Sequence, residues 1–246
     1  RGHMGSAMSL IEILRVLYDK ILNFNPKKPK DENRDRMILS KGHGCLALYA
    51  LLADKKFFNK NTLTTASRFN SILGGHPEYG KVPGVEASTG ALGHGPAIGA
   101  GMAMAAKLKK QKHKIYVIVG DGEINEGSFW ETSMIASKHK LENLHVIIDY
   151  NKIQSYGRTK EVLDLEPLKD KLKSFGYNVA ELNGHNVSKL YNYFKRIKKN
   201  KNKPTALICH TIKGKGFPFA ENNPRWHHKN FFTKEEILLI NNCLGK

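Results

Sequence analysis

The segment from Lys114 to Asn151 constrains the fold of this chain more than any other. Ile115-Tyr116-Val117-Ile118-Val119 is an apolar run without polar alternation, the pattern of a strand buried on both faces. Ser128 to Ser137 is helix-like, and Leu144 to Asp149 is a second strand run. Two parallel strands joined by a helix make a right-handed βαβ unit, and sheets built from such units bind ligands at the carboxyl ends of their strands. Those ends carry Asp121 and Asn151. The expected architecture is α/β: a doubly wound, mainly parallel sheet with helices on both faces, formed as a single domain over residues 1–246.

The flanking sequence extends this plan. Apolar residues recur at helical spacing from Leu10 to Leu22, and a Pro-containing polar loop from Asn25 to Asp35 leads to the short apolar stretch Met37-Ile38-Leu39. Cys45 to Ala53 reads as a helix. Gly74 to Gly95 holds too many Gly and Pro residues for regular structure throughout, and Pro96 to Leu108 reads as a buried helix whose glycines admit close neighbours. Further strands are expected at Tyr177 to Ala180 and Thr205 to Thr211, with a lysine-studded helix from Ser188 to Lys198 between them.

Composition excludes some classes. No apolar run approaches the roughly 20 residues of a membrane helix, so the chain reads as soluble, with no membrane partner. Cys45, Cys209 and Cys243 form no CxxC pair and lie among apolar neighbours, which makes a reducing, cytoplasmic setting the simplest. The formal net charge of +18 raises the question of nucleic acid. However, the lysines are scattered in short clusters (27–30, 107–114, 195–203) with few aromatics for base stacking, so they read as a solvated surface and no nucleic-acid partner is expected. Long-range steering of anionic phosphosugars is a use such charge can have.

Gly120-Asp121-Gly122 places a carboxylate at a strand end between two residues without side chains. The helix beyond offers N–H groups to phosphate oxygens, but a bare carboxylate beside a diphosphate repels it unless a cation intervenes. Asn151 at the end of the second strand supplies a further oxygen. Mg2+ needs about six oxygens and takes several from phosphate and water, so a sparse protein contribution suffices.

The arrangement of strand, GDG, a spacer of about 28 residues and then Asn resembles the thiamine-diphosphate signature. Other segments are similar to transketolases in particular, and the resemblance covers nearly all 246 residues. Arg1 to Ser6 (RGHMGS) is similar to the family's SGHPG opening, which favours native sequence over a cloning scar. Ser40 to His43 matches its SKGH segment, Gly75 to Glu78 its GHPE segment, and Pro83 to Glu86 with Ser88 to Gly93 its PGVE and TTGPLG stretches. Ala91 stands where the family often has Pro, and His94 where Gln is common.

The resemblance implies thiamine diphosphate as cofactor, with Mg2+ (Ca2+ or Mn2+ as alternatives) held by Asp121, Asn151 and the carbonyl of Ile153. Gly122 is implied to contact the diphosphate, and Glu126 to lie near the pyrimidine-binding network. His43, Ala91, Leu92 and Gly93 complete the implied cofactor set. His3, His76 and His227 are implied to be catalytic, orienting donor hydroxyls and relaying protons, a role that suits a side chain titrating near neutrality. His228 stands beside His227, and Trp226 alone sets the register between them.

Full transketolases are far longer than this chain. The implied protein is therefore a separate N-terminal subunit or isolated domain that transfers two-carbon ketol groups between sugar phosphates only with a C-terminal, pyrimidine-binding partner subunit. Self-association into an assembly of two copies of each is also implied. Two other readings stay open at this point. The α subunit of a 2-oxoacid dehydrogenase shares the diphosphate motif, although SKGHG, GHPE and PGVE argue against it. A basic nucleic-acid-binding relic of the fold would show steep salt-dependent affinity for nucleic acid and no cofactor binding.

Overall fold

The two apolar runs of the βαβ unit form the centre of a five-stranded parallel sheet in the order β1-β2-β3-β5-β4. The computed structural model describes residues 2–155, 157–197 and 202–245; Arg1 of the opening motif and Lys198, the expected end of a helix, lie outside these residues. The strands are β1 (Arg36–Leu39), β2 (Ile115–Gly120), β3 (Leu144–Tyr150), β4 (Asn178–Asn183) and β5 (Thr205–His210). The helices are α1 (Met4–Met8), α2 (Ile11–Val16), α3 (Cys45–Asp54), α4 (His94–Leu108), α5 (Gly127–Lys138), α6 (Thr159–Val162), α7 (Leu168–Ser174), α8 (Val187–Arg196) and α9 (Lys234–Cys243).

Period-two alternation sorts the strand residues onto two cores. Tyr116, Ile118, Ile147 and Leu207 meet α2, α3 and α8 on one face, while Val117, Val119, Val146, Ile148 and Ile208 meet α4, α5 and α7 on the other. Every residue of β2 and β3 is buried. The chain is thus doubly wound, with helices on both faces as expected. Among the described residues, no helix is long and apolar enough to cross a membrane.

The helix expected from Leu10 to Leu22 is α2 continued by a π-helical turn over Leu17–Ile21, in which the Leu22 N–H reaches the Leu17 carbonyl at 2.8 Å. Apolar periodicity does not distinguish this wider turn from an α-helix. Directly after Asp121 comes a short 3₁₀ turn, Gly122–Asn125, and α5 starts only at Gly127. The lysines of 27–30 and 107–114 precede β1 and β2, so they lie at the amino edge of the sheet, away from the strand ends that carry Asp121 and Asn151.

Close helix–sheet contact depends on Gly99 in α4. A Cβ there would approach Val117 Cγ2 to 2.5 Å, whereas one at Gly101 would meet nothing within 4 Å. Gly99→Ala should therefore lose about 1–3 kcal/mol by overpacking, and Gly101→Ala should gain about 0.4–1 kcal/mol by restricting the unfolded chain. Urea denaturation of the two variants measures the contrast.

His145, on β3, is 2% exposed, and its Nδ1 lies 2.7 Å from Thr205 Oγ1. Burial, with Lys114 nearby, pulls its pKa down to about 3. The unfolded chain binds a proton near pH 6.5 that the folded chain refuses until about pH 3, so acid favours unfolding across that window. Melting temperature should fall as pH drops below 6.5, the ordinary histidine value, and His145→Gln should make that fall shallower.

Candidate active site

Four strand ends enclose the candidate site. β1 delivers Ser40 and Lys41, β2 delivers Gly120 and Asp121, β3 ends in Asp149-Tyr150-Asn151, and Thr211 follows β5. Lys41 and Asp149 are 1% and 0% exposed and form an ion pair. Asp149 Oδ2 also accepts from Ser9 Oγ (2.6 Å) and Asn151 Nδ2 (3.3 Å), and its Oδ1 accepts from Thr211 Oγ1. Burial pushes the Asp149 pKa upward, but the Lys41 ammonium and these hydrogen bonds outweigh it and hold the carboxylate below its ordinary value.

Asp121 is placed differently. It is 2% exposed, and its oxygens accept the backbone N–H groups of Gly122 (2.8 Å) and Lys152. Lys152 takes a φ of 64°, a left-handed turn at the end of β3 from which its N–H reaches Asp121. Burial, together with the neighbouring Asp149, raises the Asp121 pKa to about 6 against those two hydrogen bonds. Asn151 Oδ1 accepts from the Ile153 N–H at 3.1 Å, and the Ile153 carbonyl accepts from Lys213 Nζ at 2.8 Å. Burial, then Lys41, lowers the Lys213 pKa to about 8.

Asp121, Gly122, Asn151, Ile153, His43, Leu92 and His227 line one cavity, joined by Lys41, Lys213, Ser6, Glu123, Gln154 and Ser155. Three oxygen ligands fit a hard cation here: a buried carboxylate held only by N–H groups, an amide oxygen and a main-chain carbonyl, the latter two each with a second lone pair. Among the described residues, no cluster of three or more His, Cys, Asp or Glu suits a metal ion, so a cation held here would draw its remaining oxygens from phosphate and water.

His3, His43, His76 and His227 are brought together, although they come from four separate segments. The His3 ring lies 5.1 Å from His43, 5.2 Å from His227 and 6.5 Å from His76. His228 joins them at 4.5 Å from His3, while His227 Nε2 lies 3.3 Å from Ser155 Oγ. Burial first, then surrounding His and Lys charges, lowers the pKa of His3 to about 4 and of His227 to about 3, and moves His43 the same way. These three imidazoles are neutral at physiological pH.

Ala91 and Glu126 are exposed and stand outside the cavity lining. Gly93 links the two regions. Its N–H donates to Glu123 Oε1 (2.9 Å), and a Cβ on it would come within 2.7 Å of Glu126 Cβ. The buried carboxylate of this turn is Glu123, which also accepts from Ser40 Oγ and from the Gly120 N–H (3.0 Å). Sequence reasoning does not single out Lys41, Asp149, Glu123, Gln154 or Lys213 as site residues. Lys41 sits inside the SKGH segment and Glu123 directly follows GDG, which are the available signals; Lys213 has only its glycine-rich surroundings.

The model of the family described as the transketolase thiamine diphosphate binding domain matches residues 1–246. The chain is 45% identical over 227 residues to an apulose-4-phosphate transketolase subunit of Phocaeicola vulgatus, covering 92% of this chain and 80% of that one. It is 39% identical over 227 residues to a 6-deoxy-6-sulfo-D-fructose transketolase subunit of a Clostridium species, covering 92% and 82%. Transketolase from Pichia stipitis, in complex with sedoheptulose-7-phosphate, superposes with a TM-score of 0.92 at 30% identity, covering 99% of this chain but only 37% of that one. The match to human transketolase, 34% identical over 229 residues, likewise spans 36% of the relative. With its parallel sheet, its strand-end carboxylate and amide, and its histidine cluster, the chain belongs to the transketolase family, as a thiamine diphosphate binding domain.

Proposed function

We propose that this chain is the N-terminal subunit of a split transketolase. In this reading it binds the diphosphate of thiamine diphosphate through Mg2+ and transfers two-carbon ketol groups between sugar phosphates together with a pyrimidine-binding partner subunit. The observation that carries the proposal is the convergence of Asp121, Asn151 and Ile153 on one cavity that is also lined by Lys41 and Lys213. The relatives named as transketolase subunits, of similar extent to this chain, support the split arrangement and make phosphorylated or sulfonated ketoses the substrate class to examine first.

Thiamine diphosphate supplies the carbon nucleophile and electron sink of ketol transfer when bound. The chain's own residues bind, orient and handle protons. Asp121 and Asn151 hold the metal, and Lys213 sets its charge against the diphosphate. Asp149 fixes Lys41 in position. His3, His43 and His227, kept neutral rather than titrating near neutrality as expected from the sequence, can accept a hydrogen bond from a sugar hydroxyl or donate one to it, but burial and the nearby cations disfavour their taking up a proton. His76 stands at the edge of the same group.

Glu126 faces outward, and α5 beyond it exposes Met134 and Ile135 at 56% and 48%. Exposed apolar residues on the helix that begins at this carboxylate support both self-association and closure of the site by the partner, giving two copies of each subunit. A cytoplasmic location accords with free thiols at Cys45, Cys209 and Cys243.

Calorimetric titration of thiamine diphosphate into the chain should show Mg2+-dependent binding that Asp121→Ala abolishes while leaving the circular dichroism spectrum unchanged. Retained Mg2+-dependent binding in that variant would sink the metal assignment. Ketol transfer should require the partner subunit, so full turnover by the purified chain alone would refute the split reading.

A further inference from the structure

Gln154 follows the Asn151–Ile153 segment and lines the same cavity. Its main chain is anchored: Ile153 forms an antiparallel bridge with Arg158, and the Gln154 N–H donates to the Gly157 carbonyl at 2.9 Å. The side chain lies across Gly122. A Cβ built on that glycine would come within 2.8 Å of Gln154 Cβ and 3.1 Å of its Oε1, so the glutamine occupies space that only a glycine leaves free.

The Gln154 Nε2 is withdrawn from the surface, yet it has no hydrogen-bond partner among the described residues. A buried amide nitrogen left in this way is costly, and native structures pair such groups with protein, water or a ligand. Several neighbouring donors already hold a partner, while His227 Nδ1 of the same lining, like Gln154 Nε2, has none among the described residues. The Gly122 N–H donates to Asp121 Oδ1, Lys41 Nζ is bonded to Asp149, and Lys213 Nζ is bonded to the Ile153 carbonyl. Gln154 thus carries a buried, unengaged amide nitrogen in a side chain that lines the cavity and packs against Gly122 of the GDG turn.

We propose that Gln154 Nε2 donates a hydrogen bond to the diphosphate of the bound cofactor, on the side of Gly122. This rests on the reading of the chain as a thiamine-diphosphate-binding subunit. A neutral donor suits the place. The ammonium groups of Lys41 and Lys213 and the buried carboxylates of Asp121, Glu123 and Asp149 already lie at or beneath the cavity lining, so an amide adds directional binding without changing their charge balance. The role is one of binding and positioning, with no bond made or broken at Gln154.

The test is calorimetry on the full chain, alone and with its partner subunit, using thiamine diphosphate with Mg2+ and, separately, Mg2+ with inorganic pyrophosphate. Gln154→Met keeps length and apolar contact but removes the donor, and should weaken both ligands about tenfold or more. Gln154→Glu should weaken them further through repulsion. The melting temperature of ligand-free Gln154→Met should equal or exceed that of the wild type, because an orphaned polar group has been removed. Wild-type affinity in Gln154→Met for both probes, or a clear drop in its ligand-free melting temperature, would overturn the proposal in favour of no role or a structural one. If the wild-type chain binds neither probe in either setting, the cofactor reading itself fails and this inference falls with it.

Discussion

The buried pair of Lys41 and Asp149 is the interaction around which the strand ends are arranged. Removing two charges from water costs several kcal/mol per ion, and the pairing compensates only where hydrogen bonds satisfy the remaining lone pairs. Here Ser9, Thr211 and Asn151 supply them. These residues belong to the turn after α1, the segment after β5 and the end of β3, while Lys41 follows β1. One carboxylate therefore fixes the relative positions of four chain segments, and the cavity is the space left between them.

The cation of this pair also contributes to the electrostatics of the histidines, after burial. Lys41 is paired with Asp149, and its field, with that of Lys213 and the neighbouring histidines, reinforces burial in disfavouring protonation of His3, His43 and His227. A cluster of imidazoles would otherwise titrate through the neutral range as each took up a proton in turn. Burial near fixed ammonium groups converts them into neutral hydrogen-bonding groups across physiological pH.

Much of this is legible in the sequence because the site is built at strand ends, and strand ends are marked locally. The apolar runs at 115–119 and 144–149 are unmistakable in period and length, so Asp121 and Asn151 can be placed side by side from sequence; their strands are indeed adjacent and in register. The four histidines emerge only through motif resemblance, since nothing in local periodicity brings His3 near His227. Long-range polar partnerships are not legible at all. Lys41 and Asp149 are separated by 108 positions, and Lys213 meets the Ile153 carbonyl across 60. Helix α1 is equally hidden, because five residues are too few to display a helical repeat.

The two aspartates at the site show how the same residue type is given different chemistry by what surrounds it. Asp149 has a cation and three side-chain donors, so it is ionised and structurally committed. Asp121 lies just past Gly120, the register partner of Asp149, and has backbone N–H donors and a like charge nearby, so its ionised form is disfavoured instead. Moving Lys41 toward Asp121 would satisfy that carboxylate but strand Asp149 in the interior. The arrangement therefore leaves one buried carboxylate in need of positive charge at the mouth of the GDG turn. A divalent cation is the simplest group that meets the need while also bridging to an anionic ligand, which is why the geometry of the floor, rather than any single residue, carries the functional reading.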